Sequence, residues 1–191
     1  MMDVMILAAG RGERMRPLTD STPKPLLKVA GKMLIEYHLH ALSTAGYRNI
    51  VINIGHLGQQ LMDKIGDGSR YGLSIHYSDE RGNVLETGGG ICKALPLLKS
   101  EYFLVINGDV WTDFDLSTLS PCGDSLAHLV LVNNPPHHPD GDFGLEHGKV
   151  MEKTPGRPAW TYSGTGVFSH KLFEACPAGR FPLAPLLRQH M

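Results

Sequence analysis

The sequence has almost no charge imbalance. Its 191 residues carry 18 Lys and Arg against 19 Asp and Glu, a net charge of −1, and the isoelectric point is about 6.8. Bulk attraction to nucleic acid or to an anionic membrane is therefore not expected. No apolar run is long enough to span a bilayer, and the amino end lacks the basic, apolar and small-residue layout of a signal peptide. The three cysteines, Cys92, Cys122 and Cys176, are odd in number and show neither metal nor redox spacing. Reduced thiols in a cytoplasmic protein are the expectation. Internal repeats, low-complexity tracts and linkers are missing too. With 42% hydrophobic residues, the chain is expected to form one domain, residues 1–191, around a substantial core.

What the chain does have is concentrated between Leu7 and Lys32, LAAGRGERMRPLTDSTPKPLLKVAGK. It follows an apolar run, Val4 to Ala9, that reads as a buried strand. Six cations (Arg11, Arg14, Arg16, Lys24, Lys28, Lys32) stand against two acids, Glu13 and Asp20. In a chain of nearly zero net charge, that is local positive charge, suited to a small anionic ligand. Gly10 and Gly12 allow a tight turn that presents N–H groups to phosphate oxygens. Pro17, Pro23 and Pro25 are expected to stiffen the stretch and keep it from becoming helical. Gly-x-Gly alone is equally compatible with a dinucleotide-binding turn or a solvated basic loop. The dinucleotide fingerprint fails, however: Met15 replaces its third glycine and Pro17 would interrupt its helix.

Farther along, Leu34 to Ala45 has helical spacing and ends at Gly46. Ile50 to Ile54 reads as a strand, Leu57 to Ile65 as a helix and Leu73 to Ser78 as a strand. A glycine-rich turn, LETGGG, comes next, then a helix from Ile91 to Leu98 and a buried strand from Tyr102 to Asn107. This alternation predicts an α/β fold, a three-layer αβα Rossmann-like sandwich on a mainly parallel, mixed sheet. Beyond it, Leu126 to Val132 reads as a strand and Asn133 to Gly144 as a loop. Val150 to Lys153 and Trp160 to Phe168 are strands around the turn TPGRP, and Lys171 to Ala175 and Leu183 to His190 are short helices.

Several side chains stand where chemistry is done. Asn107-Gly108-Asp109 follows a buried strand, at the sheet edge where open α/β folds bind ligands. Asp109 there could hold Mg²⁺ or simply cap a turn. Asp113 and Asp115 fit helix caps. The segment Glu80 to Gly90, ERGNVLETGGG, has three glycines that would let a ring or phosphate approach the backbone, or form a flexible turn. Glu152-Lys153 is either a functional pair or an exposed ion pair. Ser163-Gly164-Thr165-Gly166 suggests close approach of a sugar ring or a β-bulge. His137 and His138, flanked by prolines and without a cysteine partner, fit a solvent loop better than a metal site.

The string GxGxRMRPLT…PKPLLxVxGK, from Gly10 to Lys32, resembles the signature of the sugar-1-phosphate nucleotidyltransferases, and the similarity runs from Asp3 to Met191. Segments such as LIEYHL, GDGSRYGLSI, LETGGGI, NGDVWTD, AHLVLV and LAPLLRQ look most like the branch that uridylylates N-acetyl-α-muramate 1-phosphate in bacterial peptidoglycan recycling. Glu86, where many relatives have glycine, is shared by that branch. The resemblance implies an enzyme that uses Mg²⁺, UTP and a sugar 1-phosphate, with no nucleic acid or membrane partner. A monomer or a homo-oligomer would fit it equally. It makes Arg14 and Lys24 catalytic. Ala9, Gly10, Gly12, Glu80, Gly88 and Gly89 become nucleotide contacts. Asn107, Glu152, Lys153 and Gly164 become sugar contacts, and Asp109 the metal ligand. Family members continue past LAPLLRQ into a strand and a W-x-D-V-G-T-P segment whose Asp completes the metal site. That segment is not in these 191 residues, so the resemblance implies weak or absent activity for the chain as given and normal activity for an extended one. Other readings are a thymidylyl-, uridylyl- or guanylyltransferase for glucose or mannose 1-phosphate, a catalytically silent nucleotide-sugar sensor, or, more remotely, an NAD-binding oxidoreductase.

Overall fold

A computed structural model describes residues 1–83 and 85–191; Val84, within the Glu80–Gly90 segment, lies outside the described residues. The strands are β1 (Asp3–Leu7), β2 (Lys28–Val29), β3 (Lys32–Met33), β4 (Asn49–Ile54), β5 (Ser74–Asp79), β6 (Tyr102–Asn107), β7 (Ala127–Val132), β8 (Gly144–Glu146), β9 (Lys149–Met151) and β10 (Thr161–Ser169). The helices are α1 (Leu18–Ser21), α2 (Leu34–Thr44), α3 (Gly58–Ile65), α4 (Glu86–Ala94) and α5 (Leu183–Arg188), with short 3-10 turns between them.

Six strands form the central sheet in the order β5-β4-β1-β6-β10-β7. β5, β4, β1 and β6 are parallel, and β10 runs antiparallel to both of its neighbours. Period-two alternation sends successive side chains of each strand to opposite faces. Val4, Ile6, Ile50, Ile52, Leu104 and Ile106 pack with Ile35, Leu39 and Leu42 of α2 and Leu61 and Ile65 of α3. Met5, Val51, Phe103, Val105 and Phe168 pack with Ile91 and Ala94 of α4 and with Leu183, Leu186 and Leu187 of α5. Two apolar faces are why β1 and β6 read as unbroken apolar runs. The three-layer αβα arrangement expected from the sequence is the one observed. Each fully buried Ile, Leu or Phe contributes roughly 1.5–3 kcal/mol, whereas exposed ion pairs contribute about 0–1 kcal/mol each. The two apolar layers hold the fold, which leaves polar groups at the sheet edge available for function.

Local elements differ from expectation in three places. Despite its prolines, the basic stretch contains the helical turn α1 between Pro17 and Thr22 and 3-10 turns at Glu13–Met15 and Lys24–Leu26. Pro17 lies just ahead of α1 and Pro25 inside the first turn of the second 3-10 segment, where a missing N–H is tolerated. The glycines of LETGGG are not a turn: Gly88, Gly89 and Gly90 lie inside α4 and are buried. Finally, a strand within the second half, β8, pairs with β9, which ends at Met151, so Glu152 and Lys153 follow the strand rather than close it.

Candidate active site

The carboxyl ends of the parallel strands converge. In register, Leu7 of β1 is flanked by Asn53 of β4 on one side and Asn107 of β6 on the other. The segments leaving these strands and β5 line a cavity of about 900 Å³, walled by Leu7 to Met15, Lys24, Pro25, Asn53, His56, Glu80 to Asn83, Leu85 to Thr87, Asn107 and Asp109. This is the edge at which open α/β sheets bind ligands.

The basic loop is shaped by Gly12, which holds φ +64°; a Cβ there would lie 2.9 Å from Thr19 Cγ2. The Gly12 carbonyl accepts from the Met15 N–H at 2.9 Å and from the Thr19 hydroxyl at 2.9 Å. Gly10 lines the cavity and has open space where a side chain would stand. Arg11 and Arg14 line the cavity and make no ion pair among the described residues, while Arg16 turns to Asp20 at 3.3 Å and Glu13 at 3.9 Å. Lys24 Nζ donates to Asp109 Oδ2 at 2.6 Å. The Asp109 loop is tied down by the Gly108 N–H, which donates to the Leu7 carbonyl at 2.9 Å. It lies near His38 of α2, whose imidazole burial pushes below its ordinary value against the opposing pull of Asp109 and the Val110 backbone.

A second polar cluster sits at the other end of the cavity wall. Asn53 Oδ1 accepts from the Ala8 N–H at 2.6 Å, and Asn53 Nδ2 donates to Glu80 Oε1 at 2.8 Å. Glu80 is 4% exposed, and burial raises its pKa against the pull of Asn53 and Lys93. Next to it, Asp79 is held at about 2 by the hydrogen bonds it accepts from Arg81.

Ala9, Gly10, Gly12, Arg14, Lys24, Glu80, Asn107 and Asp109 thus share one cavity. The other candidates are placed elsewhere. Gly88 and Gly89 do not line the cavity: a Cβ on Gly88 would fall on the Phe181 ring, and one on Gly89 on the Gly179 carbonyl. These glycines let α4 pack against the segment before α5. Gly164 holds φ +82°, and its missing Cβ makes room for the Asn107 side chain. It lies where the register of β10 against β7 shifts, so the bulge reading describes it and the close neighbour is a side chain. Glu152 pairs with Arg188 at 3.3 Å and Lys153 donates to the Gly141 carbonyl at 2.8 Å; neither lines the cavity. Asp115 caps the turn at Leu116–Thr118, as expected, accepting from the Ser117 N–H at 3.0 Å. His138 pairs with Asp142 at 3.1 Å. Asn53 is the residue that sequence reasoning misses, although an amide inside the apolar run IVINI is the available signal.

Among the described residues, no group of three His, Cys, Asp or Glu is placed to hold a metal ion. Asp109 offers hard carboxylate oxygens on the cavity wall, and Mg²⁺ characteristically takes one or two carboxylates and completes its shell with phosphate oxygens and water. The donor set fits that ion in company with a polyphosphate.

A Rossmann-like sheet whose strand ends carry a glycine-bearing cationic loop opposite a carboxylate defines a nucleotide-handling transferase. The nucleotidyl transferase family model matches residues 3–168, and the chain belongs to that family. It is 53% identical, over 100% of its length and 85% of the relative's, to N-acetylmuramate alpha-1-phosphate uridylyltransferase of Neisseria meningitidis. It is 33% identical to mannose-1-phosphate guanylyltransferase of Mycobacterium tuberculosis, covering 94% of this chain but 52% of that protein. Among solved structures, HddC from Yersinia pseudotuberculosis, complexed with GMP-PN, superposes with a TM-score of 0.75 at 26% identity, over 96% of this chain and 84% of that one.

Proposed function

We propose that the protein transfers a uridylyl group from UTP to N-acetyl-α-muramate 1-phosphate, releasing pyrophosphate and serving peptidoglycan recycling in the cytoplasm. The observation that carries this reading is the 53% identity over the whole chain to the Neisseria uridylyltransferase. The cavity supports it chemically. A phosphate oxygen of the sugar phosphate attacks the α-phosphorus of UTP; the new P–O bond forms as the α–β bridge breaks, and the electron pair leaves on pyrophosphate. Such transfer needs alignment and charge neutralisation more than a protein nucleophile. Arg14 and Lys24 neutralise the α-phosphate and the departing pyrophosphate, Arg14 as a planar fork of donors and Lys24 as a point charge. Ala9, the open face of Gly10 and the turn at Gly12 receive the phosphates. Asp109, with phosphate oxygens and water, would hold Mg²⁺, which supplies further charge neutralisation when bound. Asn107 faces the sugar phosphate from the neighbouring strand.

The test is pyrophosphate release across UTP, dTTP, GTP and CTP, each with N-acetylmuramate, glucose and mannose 1-phosphates. Highest kcat/KM for UTP with the muramate sugar is expected. A clear preference for GTP with mannose 1-phosphate would replace this reading with a guanylyltransferase. Nucleotide binding without product in single turnover, even in a form extended past Met191, would replace it with a sensor.

A further inference from the structure

We infer that Asn53 is a positioning residue that selects the nucleobase, by holding Glu80 as a hydrogen-bond acceptor and tying it to the start of the phosphate loop. The inference rests on the nucleotide-binding reading above and goes beyond it.

The Ala8 N–H can only donate, so the Asn53 oxygen must face it, and the bond is 2.6 Å. The amide nitrogen is then forced toward Glu80 and donates to Oε1 at 2.8 Å. One backbone N–H thereby fixes the whole bridge: β1, β4 and the residue after β5 are linked by side chains that are 4% exposed in each case. Gly90 of α4 makes the room, since a Cβ there would lie 2.7 Å from Glu80 Oε1 and 3.1 Å from Asn53 Nδ2. Of the carboxylates lining the cavity, Glu13, Asp109 and Glu86 are paired with Arg16, Lys24 and Arg180, whereas Glu80 meets a neutral amide and keeps Oε2 for a donor from the ligand. The part of a nucleotide that offers a ring N–H is the base. With Oε1 engaged by Asn53, Oε2 is left for a single ring N–H, as in uracil. Cytosine presents a lone pair at the same ring position and is repelled. A guanine edge, with two adjacent N–H donors, is matched best by two free carboxylate oxygens.

The bridge can be inverted by substitution. In Asn53→Asp the new carboxylate still accepts from Ala8, but it has nothing to donate to Glu80, and the two carboxyls must share a proton. The shared proton lies between the facing oxygens, so Glu80 Oε2 still meets the cavity as an acceptor and the preference for uracil persists. In Glu80→Gln, Asn53 still donates to the side-chain oxygen, leaving the NH₂ group facing the cavity, a donor that suits cytosine. In the double variant Asn53→Asp/Glu80→Gln, the introduced amide donates to the introduced carboxylate, which turns the amide oxygen back to the cavity.

The experiment is calorimetric titration of UTP and CTP into wild type and the three variants, in Mg²⁺ buffer without a sugar phosphate, so that no turnover is involved. The ratio of CTP to UTP dissociation constants is expected to fall by about tenfold or more in Glu80→Gln, to stay near wild type in Asn53→Asp, and to recover toward wild type in the double. A merely structural bridge would weaken both nucleotides together, and an unchanged ratio in Glu80→Gln overturns the inference, as does its failure to recover in the double variant. If Asn53→Asp does not fold, Glu80→Gln against the double variant decides it in the same way: no recovery overturns it. Failure of wild type to bind UTP would instead overturn the function on which it stands.

Discussion

Lys24 Nζ lies 2.6 Å from Asp109 Oδ2 across 85 residues of sequence, so a cation of the basic loop rests on the carboxylate that follows the neighbouring strand. The pair is partly exposed, at 23% and 38% for the two side chains. Its contribution to stability is about 0–1 kcal/mol. Lys24→Ala and Asp109→Asn are therefore expected to melt within a few degrees of wild type while losing about 100-fold or more in kcat. Circular dichroism melts beside initial rates check this. Loss of the fold in either variant, or retention of turnover in both, would contradict it.

Arg14 gives a cleaner separation. It lines the cavity and has no ion-pair partner among the described residues, so truncating it removes nothing that holds the loop. Arg14→Ala should leave the melting temperature unchanged and reduce kcat by about 100- to 1,000-fold. Arg14→Lys should recover part of it, because an ammonium keeps the charge but not the fork. Equal rates for Arg14→Ala and wild type would remove Arg14 from the chemistry.

Most of the scaffold is legible in the sequence because apolar side chains repeat at the periods their elements require. Val4 to Leu7 and Phe103 to Ile106 are apolar on both faces, which only a covered parallel sheet explains. The cationic loop and Asp109 are legible for a different reason: charge clustered in a neutral chain, and an acid placed after a buried strand. LETGGG misleads because three glycines signal a turn by propensity, whereas the close approach of Phe181 and the Gly179 carbonyl comes from residues about ninety positions away. Local rules carry no information about such a contact. The same holds for Glu152, whose partner is Arg188, and for Gly164, whose close neighbour is Asn107.

Glu80 predicts a pH dependence with a definite sign. Burial raises its pKa, so the folded state takes up a proton more readily than the unfolded chain. Its contribution to stability is thus fully present below the unfolded value and lost as pH rises through the folded one. Glu80→Gln keeps an oxygen for Asn53 and does not titrate. Its melting temperature relative to wild type should therefore increase between about pH 4 and about pH 7. A difference that is flat across this range, or that shrinks, would show that the carboxylate is not held against desolvation.

Gly89 separates packing from ligand contact within α4. A Cβ there would fall on the Gly179 carbonyl, and backbone cannot swing aside as a flexible side chain can. Gly89→Ala should destabilise the fold by roughly 1–3 kcal/mol, the usual range for overpacking. At a temperature where the variant is folded, UTP affinity should stay within about twofold of wild type, because the strain is released away from the cavity. Gly82, which lines the cavity and has open space around a built Cβ, is the control with the left-handed φ of +83°; its alanine variant carries only backbone strain, roughly 1–2 kcal/mol. Denaturant melts and calorimetric titration on both variants check the pair. A stable Gly89→Ala with strongly weakened UTP binding would return the glycine to the nucleotide site and show that α4 approaches the ligand directly.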